Sequence, residues 1–148
     1  HLTPADFVAS QGQDAFVFKL LGKKSHGFFI ELGAGDGLMD SATYVFEKRL
    51  CWTGLCVEPS KVVFKDLEKN RPGCIRVHGA ICDKGENGNS KNLLYLDILD
   101  ENGQWTGLSG FENKMTKAMV VGLSGYAKRH LKASFLCPQS KRFDLLQN

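Results

Sequence analysis

The sequence predicts an α/β fold, a parallel sheet with flanking helices, on three observations. The first is the run Phe28-Phe29-Ile30-Glu31-Leu32, apolar but for one acid, followed by Gly33, Gly35 and Gly37. The second is a succession of strand-like and helix-like segments in the order β-α-β-α-β, which implies parallel pairing with right-handed crossovers. The third is a convergence. Ligands of such sheets bind outside the carboxyl ends of the strands, where residues 31–37, Glu58 and residues 80–83 all fall.

The first element is a short turn of helix, with Thr3 as cap and Pro4 in the first helical position. Ser10-Gln11-Gly12-Gln13-Asp14 follows, and then Phe16, Val17, Leu20 and Leu21 at helical spacing, with Gly22 as a stop. Gln13 and Asp14 read as polar residues of that helix's first turn. Residues 28–32 read as a buried parallel strand. The glycines after it allow a sharp turn and a close approach of backbone N–H groups to a ligand. Residues 41–50 have helical spacing, with Ser41 as the expected N-cap.

The second unit begins with the strand Leu55-Cys56-Val57, ending at Glu58 and Pro59. Glu58 lies about 21 residues beyond the glycine loop, where an acid accepts hydrogen bonds from the ribose hydroxyls of an adenosine ligand. Pro59 stops the strand, and Ser60 is placed to cap a helix over 61–70 with Val62, Val63, Phe64 and Leu67 as its buried stripe. Asn70-Arg71-Pro72-Gly73 reads as a turn. A third strand over 74–78 leads to Ala80 and Ile81, small and apolar enough for an adenine slot, with Asp83 a possible acceptor. Residues 83–92 read as a polar loop. Residues 93–98 read as a strand, antiparallel at the far edge of the sheet, and residues 143–146 as the start of a helix.

The loop's spacing separates two kinds of ligand. A dinucleotide fingerprint requires G-x-G-x-x-G, and Leu38 occupies its third glycine position. The spacing here is G-x-G-x-G, with an acid before the first glycine. That pattern resembles the S-adenosylmethionine loop of the Rossmann-like methyltransferases.

Composition narrows the field further. Hydrophobic content of 43% and charged content of 24% are those of an ordinary globular domain. A net charge of +3, with Lys and Arg scattered, gives no argument for nucleic acid. No apolar run is long enough to span a bilayer. The five cysteines Cys51, Cys56, Cys74, Cys82 and Cys137 form no metal-binding pair and read as reduced thiols of a cytoplasmic protein, so no metal is expected.

In order along the chain, these pieces resemble the FkbM family of S-adenosylmethionine-dependent methyltransferases. The resemblance rests on Ser10-Gln11-Gly12-Gln13-Asp14, residues 29–37, Phe46-Glu47, Trp52-x-Gly54-Leu55, Glu58-Pro59, Asn70-Arg71-Pro72, Ala80-Ile81-Cys82, Gly107-Leu108-Ser109-Gly110 and Cys137-Pro138. It implies a class I methyltransferase fold of which residues 1–148 are the N-terminal, cofactor-binding part, with the C-terminal strands missing. It implies S-adenosylmethionine as cofactor and O-methylation of a small-molecule or sugar hydroxyl. The cofactor would be held by Glu31, Gly33, Ala34, Gly35, Asp36, Gly37, Glu58, Pro59, Ala80 and Ile81. Asp36 could equally hydrogen-bond within its own turn. No catalytic base is assigned, and an inactive interaction module on the same fold is the alternative.

Overall fold

The computed structural model describes residues 1–81, together with the backbone of three later strands at 94–98, 110–111 and 131–136. The chain divides into two compact units, 1–80 and 81–148.

The first unit opens with a 3-10 turn, Pro4–Asp6, closed by a capping box in which Thr3 and Asp6 bond reciprocally. Helix α1 (Gln13–Leu20) starts after Gly12, whose φ of 68° is in the left-handed region. The parallel sheet follows: β1 (Phe28–Leu32), β2 (Thr53–Glu58) and β3 (Ile75–His78), in the spatial order β1-β2-β3. Register runs from Phe28 against Thr53 to Leu32 against Val57, and from Leu55 against Ile75 to Glu58 against His78. Helices α2 (Tyr44–Leu50) and α3 (Lys61–Asn70) are the crossovers. The expected α/β architecture is therefore present, with parallel pairing throughout this sheet.

Helix α3 has the limits the sequence predicts, because both ends are chemically marked. Ser60 accepts a hydrogen bond from the Val62 N–H at 3.3 Å, and Pro72 follows shortly after Asn70. Its buried stripe is narrower than expected: Val63 and Leu67 are buried, whereas Val62 stands 36% exposed. Helix α2 begins at Tyr44, not directly after Ser41. Ser41 nonetheless caps this end, its Oγ accepting from the Thr43 and Tyr44 N–H groups at 3.3 and 3.1 Å, while the Glu31 carboxylate holds Ser41, Ala42 and Thr43 in place (below).

Strand β1 is a second correction. It is not buried on both faces. Phe29 is buried on the side that packs with Ala34, Val45, Phe46, Cys56, Leu67 and Cys74. Phe28, Ile30 and Leu32 alternate with it and are each more than half exposed, and β1 lies at an edge of the sheet. One face of the strand therefore carries the core.

In the second unit, β4 (Leu94–Ile98) is antiparallel, as expected, but it does not extend the first sheet. It lies between β5 (Gly110–Phe111) and β6 (Leu131–Leu136) in a sheet of its own. The expected loop over 83–92 and helix at 143–146 lie outside the described residues.

Among the described residues, one buried cation crosses the core. Arg71, at the C-terminal end of α3, is fully buried. Its Nε donates to Glu47 Oε2 of α2 at 2.6 Å, and its Nη1 donates to Glu31 Oε2 of β1 at 3.2 Å. Nη1 also reaches Ser41 Oγ at 3.0 Å and the Gly37 carbonyl at 3.2 Å, while Nη2 reaches Thr43 Oγ1 at 2.8 Å. The guanidinium also lies over the Phe29 ring, 5.2 Å from its centroid. Burial opposes the charge, but the Glu47 hydrogen bond and the Glu47 and Glu31 charges outweigh it. The Arg71 pKa is accordingly held above the ordinary arginine value.

Removing one partner of a buried ion pair leaves the other charge uncompensated, at a cost of about 3–5 kcal/mol. Arg71→Met is expected to lose that much stability in urea unfolding followed by circular dichroism. A loss below about 1 kcal/mol would contradict the assignment of Arg71 as the element that joins β1, α2 and α3.

Candidate functional site

Three strand ends meet at the glycine loop, and backbone bonds hold them together. The Gly33 and Ala34 N–H groups both donate to the Val57 carbonyl of β2, at 2.8 and 3.1 Å. The Gly79 N–H after β3 donates to the Glu58 carbonyl at 3.0 Å. Glu58 itself is 1% exposed. Its Oε2 accepts from the Gly35 N–H at 2.8 Å and its Oε1 from the Ser60 N–H at 2.7 Å. The acid at the end of β2 is thus in direct contact with the middle glycine of the loop.

The loop's conformation requires its glycines. Gly33, Gly35 and Gly37 have φ of 71°, 58° and 77°, the region where a Cβ costs roughly 1–2 kcal/mol. Their surroundings differ. A Cβ on Gly33 would meet nothing within 4 Å, so this glycine borders open space. A Cβ on Gly37 would overlap Arg71 Cγ and stand 2.6 Å from Leu67 Cδ1. Gly33 fits a glycine kept for ligand approach, and Gly37 one kept for packing. Gly35 is strained for any side chain, so Gly35→Val would damage the loop whether or not a ligand binds there.

The other predicted residues have their own geometry. Asp36 Oδ1 accepts from the Leu38 and Met39 N–H groups at 2.9 and 2.8 Å, the turn bonding considered as its alternative. Its carbonyl accepts from Asn70 Nδ2 at 2.9 Å. Glu31 accepts from Ser41 Oγ at 3.0 Å, the Ala42 N–H at 2.9 Å, Thr43 Oγ1 at 2.6 Å and Arg71. This carboxylate organises the entry to α2. Ala34 and Pro59 are buried and Ala80 is partly buried, so all three lie at the sheet end with Glu58. Ile81 is 68% exposed and belongs to the second unit.

No family model, curated protein or solved structure matches this chain. Among the described residues, no three His, Cys, Asp or Glu side chains are grouped as metal ligands would be. Among the same residues, no helix is long and apolar enough to cross a membrane.

The sequence reading missed the residues that hold the loop from behind. Asn70 and Arg71, adjacent at the end of α3, grip the carbonyls of Asp36 and Gly37. Ser41 and Thr43 sit between Arg71 and Glu31, each accepting from the guanidinium and donating to the carboxylate. A signal was available. An acid inside an apolar strand needs a buried cation or several donors, and Glu31 is such an acid.

The N-terminal segment also reaches the loop's neighbourhood. The Ser10 N–H donates to Asp40 Oδ1, a bond that holds the Asp40 carboxyl below its usual pKa. Asp14 is buried and accepts from the Ala9 N–H at 3.1 Å, bracing the turn that starts α1.

Two glycine substitutions separate conformation from packing. Gly33→Ala is expected to cost about 1–2 kcal/mol, the backbone contribution alone. Gly37→Ala adds the overlap with Arg71 and Leu67, about 1–3 kcal/mol more. Urea unfolding of the two variants measures the difference. Equal losses would contradict the packing role of Gly37.

Proposed function

We propose that the first unit binds S-adenosylmethionine at the glycine loop and belongs to an enzyme that methylates a hydroxyl of a small molecule or sugar. The observation that carries this reading is the contact between Glu58 and the Gly35 N–H. It sets an acid at the end of β2 against a G-x-G-x-G loop at the end of β1. A carboxylate there suits the two vicinal hydroxyls of a ribose, since it accepts from both. Each Glu58 oxygen already accepts one backbone N–H, so a ribose would take the lone pairs that remain, once the buried carboxylate is uncovered.

The remaining assignments follow from the same strand ends. The open space at Gly33 suits the methionine part of the ligand, which carries no phosphate and needs no phosphate cradle. Pro59 and Ala80, which follow β2 and β3, suit an adenine edge. Glu31 and Asp36 act on the ligand indirectly, Glu31 by fixing the start of α2 and Asp36 by fixing the turn. The bound cofactor would supply an electrophilic methyl on a sulfonium. The chain's contribution is then to hold that group in line with the acceptor oxygen, which can account for several kcal/mol of a barrier.

One observation favours a second reading. Glu31, Glu58 and Asp36 are all hydrogen-bonded within the protein, so the loop holds its shape without a ligand. A non-catalytic interaction module with the same fold would have that property.

Calorimetric titration with S-adenosylhomocysteine separates the two. The binding reading predicts saturable binding to the chain, weakened at least about tenfold in Glu58→Gln, which loses an acceptor for about 1.4 kcal/mol or more. Gly33→Ala is expected to weaken binding while the chain remains folded by circular dichroism. No binding by the folded, unsubstituted chain would overturn the cofactor reading and favour the module.

A further inference from the structure

Cys56 and Cys74 are the two described cysteines inside the core, on β2 and immediately before β3. Cys74 Sγ donates a hydrogen bond to Cys56 Sγ, with the two sulfurs 3.0 Å apart. Cys56 is aligned with Arg76 across the ladder, and Cys74 precedes Arg76 by two residues, so both side chains project to the same face of the sheet. Cys74 Sγ also lies 3.4 Å from the Arg71 carbonyl. Neither cysteine takes part in the loop's hydrogen bonds.

We propose that Cys56 and Cys74 are a redox pair that closes to an intrachain disulfide, linking β2 to the start of β3 across α3. Closure needs a sulfur displacement of only about 1 Å to reach a disulfide length of about 2.05 Å. Two S–H bonds break and one S–S bond forms. The two electrons and two protons pass to a disulfide oxidant such as oxidised glutathione, which leaves as two thiols. Burial pushes both thiols above the usual cysteine pKa, so few thiolates exist in the closed core. Exchange therefore proceeds when β3 opens locally or as the chain folds, and the bond is protected once the core has closed. The expected reduced state of these thiols is then one of two states, set by the surroundings. This inference is independent of what the glycine loop binds.

The test is peptide mapping of the full chain after equilibration in an oxidising glutathione buffer containing urea below the unfolding midpoint. Free thiols are then alkylated without reductant and the chain is digested. The expected result is a single linked peptide pair, Cys56–Cys74, with the urea midpoint shifted upward and restored by dithiothreitol. Cys74→Ser should abolish both the linkage and the shift. Recovery of Cys56 and Cys74 both alkylated would overturn the proposal. So would linkage of either one to Cys51 in place of the other.

Discussion

A guanidinium with no exposure to solvent sets the conditions for everything around it. Arg71 can remain buried only if its donors are met, and the acceptors come from β1, from α2 and the segment that enters it, and from the glycine loop. Two of those acceptors are carboxylates. Neither Glu31 nor Glu47 could be buried so deeply without the cation, and the cation could not be buried without them. The local network is thus jointly required, and the glycine loop is attached to it through the Gly37 carbonyl.

This arrangement gives the loop its shape from two sides. From behind, Asn70 and Arg71 hold the carbonyls of Asp36 and Gly37. From the sheet, Val57 and Glu58 hold the N–H groups of Gly33, Ala34 and Gly35. Left-handed glycines make the turn possible, and these bonds select one conformation of it. A loop fixed in this way is preorganised, so a ligand would not have to supply the free energy of ordering it. The division of labour among the acids follows. Glu31 acts on the scaffold, Asp36 on its own turn, and Glu58 on the meeting point of the strand ends.

Local chemistry was readable in the sequence where the relevant partners are close in the chain. Thr3 with Pro4, Ser60 before α3 and Gly22 after α1 each mark an end through contacts a few residues away. The parallel order of β1, β2 and β3 was also readable, because strand and helix alternate at crossover spacing. Two of the errors share one cause: partners remote in sequence. Residue 71 lies 40 positions from Glu31, so a turn reading of Asn70-Arg71-Pro72-Gly73 could not reveal the clamp. Strand β4 pairs with Leu131–Leu136, a partner that no local pattern indicates. In the site, the positions of the glycines and of Glu58 were legible, but the use of Glu31 as an internal support was not.

The central claim is that Arg71 and its carboxylates act as one unit. A double-mutant cycle between Arg71→Met and Glu47→Gln, read by urea unfolding, tests it most directly. Independent residues would give additive losses within about 0.5 kcal/mol, whereas coupled ones depart from additivity by 0.5 to about 3 kcal/mol. The account predicts a coupling of about 2 kcal/mol or more, with the double variant losing less than the sum of the single losses. Additive losses would show that the buried arginine and Glu47 contribute separately and would contradict it.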